Sequence, residues 1–146
     1  MGYSRILVPT DGSVINEPAE TRAFELASES GASLLAVHAL EQTALPLGEH
    51  RAAMTETLER EAKEFVESVV TRAQAAGVSD VDGAVLGGRP YDAIVQAATS
   101  EGCDLIVMGT HGRSKHQPYV LGSVTARVLQ HSPIEVLVVP THGEAE

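Results

Sequence analysis

The sequence predicts an α/β fold: a doubly wound, five-stranded parallel sheet with helices on both faces. Five short apolar runs alternate with four segments of helical periodicity along the chain, the pattern of parallel strands joined by helical crossovers. The 43% apolar fraction is largely Ala, Val, Leu and Ile with no Trp, which suits a sheet buried on both sides. With 146 residues the chain can bury one core of ordinary size and not two, so residues 1–146 are expected to form a single domain.

Each element has its own signal. "RILVP" reads as a short buried strand that stops at Pro9, which has no N–H for a ladder. "DGS" follows as a turn. From about Asn16 to Ser30 the positions Ala19, Ala23, Leu26 and Ala27 recur at helical spacing, with Pro18 in the first turn and Gly31 at the stop. "SLLAVHAL" is the second strand. The longest helical pattern, roughly Arg51 to Ala76, carries Met54, Leu58, Ala62, Phe65, Val66, Val69, Val70 and Ala73 on one stripe. "VDGAVLGG" is a weaker third strand, and Pro90 opens a helix with Tyr91, Ile94, Val95 and Ala98 that Gly102 ends. "DLIVMG" is a strongly apolar fourth strand. A last helix holds Leu121, Val124, Thr125, Val128 and Leu129, and "IEVLVVP" closes the chain as the fifth strand.

The totals narrow the partners. A net charge of −10 argues against nucleic acid and anionic membrane surfaces, which require a basic face. No apolar run approaches the roughly 20 residues of a membrane helix. The single cysteine, Cys103, cannot form an internal disulfide, and no export signal opens the chain, so a cytoplasmic location is expected. Cys103 itself reads as a small packed side chain.

Against this acidic background, "MGTHGRSKHQPYVLGSV" from Met108 to Val124 stands apart. No acidic residue occurs between Asp104 and Glu135, whereas Arg113, Lys115, Arg127, His111, His116 and His131 all do. Gly109, Gly112 and Gly122 lie at a strand-to-helix junction, where glycine permits positive φ and lets backbone approach a ligand. Ser123 stands where the helix begins, at the positive end of its dipole. Together these features describe an anion site. By spacing alone they equally describe a turn with a solvated basic face. Asp11 likewise reads either as a ligand contact or as a capping carboxylate in an Asp-Gly turn.

Other chemistries find little support. His111 and His116 have no second pair of ligands with which to hold zinc. The chain has no G-x-S-x-G elbow, no G-x-x-x-x-G-K-[ST] loop and no G-x-G-x-x-G after the first strand. Hydrolysis of a nucleotide would require an oriented water and a base, for which His111 and His116 are the only candidates, so slow turnover is the most expected.

"VPTDGS" after the first strand, "GTHGRS" after the fourth and "LGSVTARVLQHSPIEVLVVP" to the end resemble the universal stress protein family, in particular its ATP-binding branch. The pattern G-x2-G-x9-G-S, placed between strand and helix, carries most of this resemblance. It implies a Rossmann-like sheet of the adenine nucleotide alpha hydrolase type, with strand order 3-2-1-4-5 and a nucleotide across the carboxyl ends of the strands. The family's acidic residue after the first strand falls on Asp11, with Pro9, Thr10 and Ser13 around it. The backbone after the second strand, at Val37 or His38, would line the adenine pocket. Met108, Gly109, Gly112, Gly122, Ser123 and Val124 would take ribose and phosphates, and Arg113 would meet phosphate. ATP is the implied ligand, with Mg2+ carried by its phosphates. A homodimer through Glu135–Val139 is implied too, since this apolar strand would otherwise leave an open edge. Where relatives carry glycine or small residues soon after "GRS", this chain has "KHQP" from Lys115 to Pro118. The alternatives are a slow nucleotide hydrolase or phosphotransferase, and a ligand-free dimeric interaction protein.

Overall fold

A computed structural model describes residues 2–41, 48, 51–111 and 121–141. The strands are β1 (Arg5–Pro9), β2 (Ser33–Leu40), β3 (Val81–Gly87), β4 (Leu105–Gly109) and β5 (Glu135–Val139), all parallel, in the order β3-β2-β1-β4-β5. The helices are α1 (Glu17–Ser30), α2 (Arg51–Ala75), α3 (Pro90–Ser100) and α4 (Ser123–His131), and a single 3-10 turn, Val14–Asn16, precedes α1. The expected class and strand order are therefore observed.

Alternation along the strands divides the core into two layers. Ile6, Val8, Leu34, Ala36, Leu105 and Val107 face α1 and α2, meeting Ala23, Phe24, Ala27, Val66, Val69 and Ala73. Leu7, Leu35, Val37, Ile106 and Met108 face the opposite way, onto Ile94 and Ala98 of α3 and Val128 of α4. Each fully buried aliphatic side chain of this kind contributes about 1.5–3 kcal/mol by leaving water. Cys103 is buried in the second layer, and burial raises its thiol pKa above the ordinary value.

The predicted helical stripes need trimming. Phe24 and Glu20 are buried in α1 beside the expected alanines, whereas Leu26 only flanks the core. In α2 the buried set is Ala62, Val66, Val69 and Ala73, and Met54 near its start is half exposed. Leu121 precedes α4 and, like Leu129, is exposed. Gly31 ends α1 in the left-handed region, φ 69°, which is the conformation that lets its N–H bond back to Ala27 O. Asp104 fastens the start of β1 to the start of β4 by accepting from the amides of Ser4 and Arg5 at 2.9 and 3.1 Å.

The strand order reverses at the central pair. From β1 the chain runs outward through β2 to β3, then returns to place β4 on the other side of β1. The connections above the carboxyl ends of β1 and β4 consequently diverge and leave a crevice.

Candidate functional site

On the β1 side, Thr10 extends the ladder past Pro9 by donating to Val37 O at 2.8 Å. The chain then turns through Gly12, whose φ of 80° is open to glycine and strained for other residues. Asp11 Oδ1 closes this turn by accepting from Ser13 N at 3.0 Å and Ser13 Oγ at 2.7 Å. His38 Nδ1 lies 2.7 Å from Thr10 O, and because a carbonyl only accepts, the proton sits on Nδ1. Its ring meets the Phe65 ring edge to face at 5.4 Å. Phe65 in turn covers Gly12 so closely that a Cβ there would come within 2.6 Å of it.

On the β4 side, hydroxyls do the fastening. Thr125 Oγ1 donates to Gly109 O at 2.8 Å, and Gly122 N donates to Thr110 O at 2.8 Å, which fixes where α4 begins. Thr141, just beyond β5, is buried; its Oγ1 receives His111 N at 3.1 Å, and its own N–H donates to Thr110 Oγ1 at 3.0 Å. Gly122 is the N-cap of α4 and supplies no side chain, so among the described residues the first-turn amides of Ser123 and Val124 carry no side-chain cap. They sit at the positive end of the helix dipole.

Gly109 is required for space, not for conformation, and Gly122 makes a close approach of its own. Neither has positive φ, contrary to the freedom expected of them. A Cβ on Gly109 would lie 2.6 Å from Thr141 Cγ2 and 3.2 Å from Asn16 Oδ1, so the strand end has no room for one. One on Gly122 would lie 3.3 Å from Thr110 O, a tight contact to which the backbone would have to yield by a few tenths of an ångström.

Between the two sides is a cavity of about 400 Å3, a size suited to a small organic ligand. Eight of the twelve residues that the resemblance assigns to the site line it: Pro9, Thr10, Asp11, Met108, Gly109, Gly122, Ser123 and Val124. Two lie off it: Ser13 is turned onto Asp11, and Val37 is fully buried with its carbonyl engaged by Thr10. Gly112 and Arg113 lie outside the described residues, as does the Lys115–Pro118 stretch. The wall also includes Asn16, Ala39, Pro90, Ile94, His111 and Thr125, none of them assigned to the site by its glycine pattern. Pro90 and Ile94 come from the start of α3, which folds over the same strand ends.

The acid-free window divides as well. His111 is buried in the cavity wall, while Arg127 lies over the Tyr91 ring at 5.5 Å and His131 packs beside that ring. Those last two side chains belong to the α3–α4 junction. A larger concavity of about 710 Å3 runs along α2 and the edge of β3, lined by Glu59, Lys63 and Glu67. It has two carboxylates to one cation and no helix start, which disfavours an anion. Among the described residues there is no cluster of three or more His, Cys, Asp or Glu placed to hold a metal. No helix among them is long and apolar enough to cross a membrane.

Comparison with known proteins agrees with this architecture. The model of the universal stress protein family matches residues 2–140. A universal stress protein of Thermus aquaticus is 39% identical over 139 residues, which cover 94% of this chain and 98% of that one. A universal stress protein solved in complex with cAMP superposes with a TM-score of 0.75 at 31% identity, covering 97% of this chain and 99% of the other. The universal stress protein of Archaeoglobus fulgidus solved with dAMP gives a TM-score of 0.69 at 25% identity, covering 94% and 98%. With a family match across nearly the whole length and relatives above 30% identity end to end, the chain belongs to the universal stress protein family.

Proposed function

We propose that this protein binds an adenine nucleotide, ATP with Mg2+ carried on its phosphates, in the cavity above β1 and β4. The observation that carries the reading is the start of α4, without a side-chain cap among the described residues, free of side chains at Gly109 and Gly122 and opening into the crevice. Bare amides at a helix start stabilise phosphoryl oxygens, and their short reach lets them act within a protein of net charge −10. Support for adenine comes from the solved relatives, whose ligands are cAMP and dAMP. Pro9, Thr10 and Asp11 bound the base and ribose side, and Met108, Gly109, Gly122, Ser123 and Val124 the phosphate side. Gly112 and Arg113 belong to the same proposal through the family pattern. Asp11 is the only carboxylate on the described wall, which favours a metal ion held by the phosphates.

Gly122→Val tests the reading. Its side chain would crowd Thr110 O and cover the helix start, so titration calorimetry with ATP and Mg2+ is expected to show at least tenfold weaker binding than wild type. Equal heats from both proteins, or none from either, would defeat it.

The proposal extends to a cytoplasmic single-domain protein that acts as a homodimer through Glu135–Val139. Among the described residues β5 pairs only with β4, and its Val136, Leu137, Val138 and Val139 are incompletely buried. Thr110 N bonds Val139 O, so alternation along a parallel ladder turns the polar groups of Val136 and Val138 outward. Val138→Pro removes an outward N–H without touching the β4 ladder. Light scattering is expected to show a dimer for wild type and a monomer for the variant; the same mass for both would count against pairing through this edge.

A further inference from the structure

Asn16 did not stand out in the sequence, and its side chain has a defined orientation in the site. Nδ2 donates to Pro9 O at 3.0 Å and to Glu20 Oε2 at 3.2 Å. Both partners accept only, so the amide cannot be flipped, and its oxygen must face the other way. That oxygen lies beside Gly109, 3.2 Å from where a Cβ would stand, and no donor among the described residues bonds it. Asn16 is 6% exposed and forms part of the cavity wall. Glu20, 1% exposed, is held from behind by Arg72 of α2 at 2.9 Å, so two helices brace the amide in this orientation. An acceptor on a nearly buried side chain of the cavity wall, without a donor among the described residues, favours a ligand that brings one.

The position indicates which part of the ligand that is. Phosphate oxygens are acceptors and would be repelled by Oδ1; their place is at the α4 start. Asn16 bridges the ends of β1 and β4, bonding Pro9 O, which Thr10 and Asp11 follow, and lying against Gly109, whose carbonyl is bonded by Thr125 of α4. In a nucleotide, the donor-bearing unit between phosphates and base is the sugar.

We propose that Asn16 Oδ1 accepts a hydrogen bond from a sugar hydroxyl of the bound nucleotide, with Glu20 and Arg72 as the positioning residues behind it; this rests on the nucleotide reading above. The test compares calorimetric affinities of wild type and Asn16→Ala for ATP, 2′-deoxy-ATP, 3′-deoxy-ATP and inosine triphosphate. Wild type is expected to bind one of the deoxy analogues roughly five- to tenfold more weakly than ATP, the worth of one neutral hydrogen bond. In Asn16→Ala that ratio is expected to fall to about one, whatever happens to affinity overall. A merely structural asparagine would weaken all four ligands together and leave the ratio intact, which would overturn the inference. So would a wild type indifferent to both hydroxyls, a comparison that needs no variant. A changed ratio of ATP to inosine triphosphate in Asn16→Ala, with the hydroxyl ratios unmoved, would assign the oxygen to the base amine and also overturn it. Failure of wild type to bind ATP at all would remove the nucleotide reading and this inference together. ATP binding with no hydroxyl penalty would remove this inference alone.

Discussion

Gly12→Ala is expected to lower stability by about 2–4 kcal/mol and to abolish the nucleotide binding proposed above. Two costs combine. An alanine at φ 80° loses about 1–2 kcal/mol of backbone energy, and its Cβ would stand 2.6 Å from the Phe65 ring. Relieving that overlap moves Phe65, which supports His38, which in turn holds Thr10 O in place. The wall residues Thr10 and Asp11 would then shift together. Thermal melting is expected to show a fall of roughly 5–15 °C. Gly31→Ala is the control: φ is 69° there, but nothing lies within 4 Å of the added carbon, so only the backbone cost remains. Equal losses from the two variants would show that the Phe65 contact contributes nothing.

Arg72→Met is expected to cost about 2–3 kcal/mol. Glu20 is 1% exposed, and the guanidinium 2.9 Å away is its ion-pair partner, although its N–H is not aimed at Oε1 as a hydrogen bond. Removing one member of a fully buried pair costs about 3–5 kcal/mol; the Arg72 side chain is 39% exposed, and solvent reduces the figure. The double variant Glu20→Leu/Arg72→Met is expected to recover much of the loss, because no uncompensated buried carboxylate remains. Urea denaturation of the three variants and wild type closes the cycle. An Arg72→Met protein as stable as wild type would mean that water reaches Glu20.

Much of the fold could be read in advance because it rests on repeating patterns. Apolar runs such as "SLLAVHAL" and "DLIVMG" have one physical use in a chain of this length, burial on both faces of a sheet, and Gly31 and Gly102 mark helix ends through their backbone freedom. The site was legible only where its chemistry depends on backbone. Gly109, Gly122 and Ser123 announce a strand-to-helix junction, although the reason Gly109 must be glycine, its crowding by Thr141 and Asn16, comes from residues distant in the chain. Side chains that reach the cavity from other elements left no local signal. Pro90 and Ile94 look like ordinary members of α3, and Asn16 like the lead-in to a helix. Glu20 reads as a solvated first-turn carboxylate, yet it is buried, and its ion-pair partner Arg72 lies fifty-two positions later. Charge counting was least reliable at Arg127, whose position on α4 puts it over Tyr91 and off the cavity.

Thr141 ties the edge strand to the crevice. Its hydroxyl and amide join Thr110 and His111, so the corner beneath the crevice is fastened by a residue that follows β5, while the opposite corner is built from β1. Local opening of β5 at the sheet edge would therefore slacken the β4 corner and leave the β1 turn as it is: the two walls belong to parts of the fold that can loosen independently.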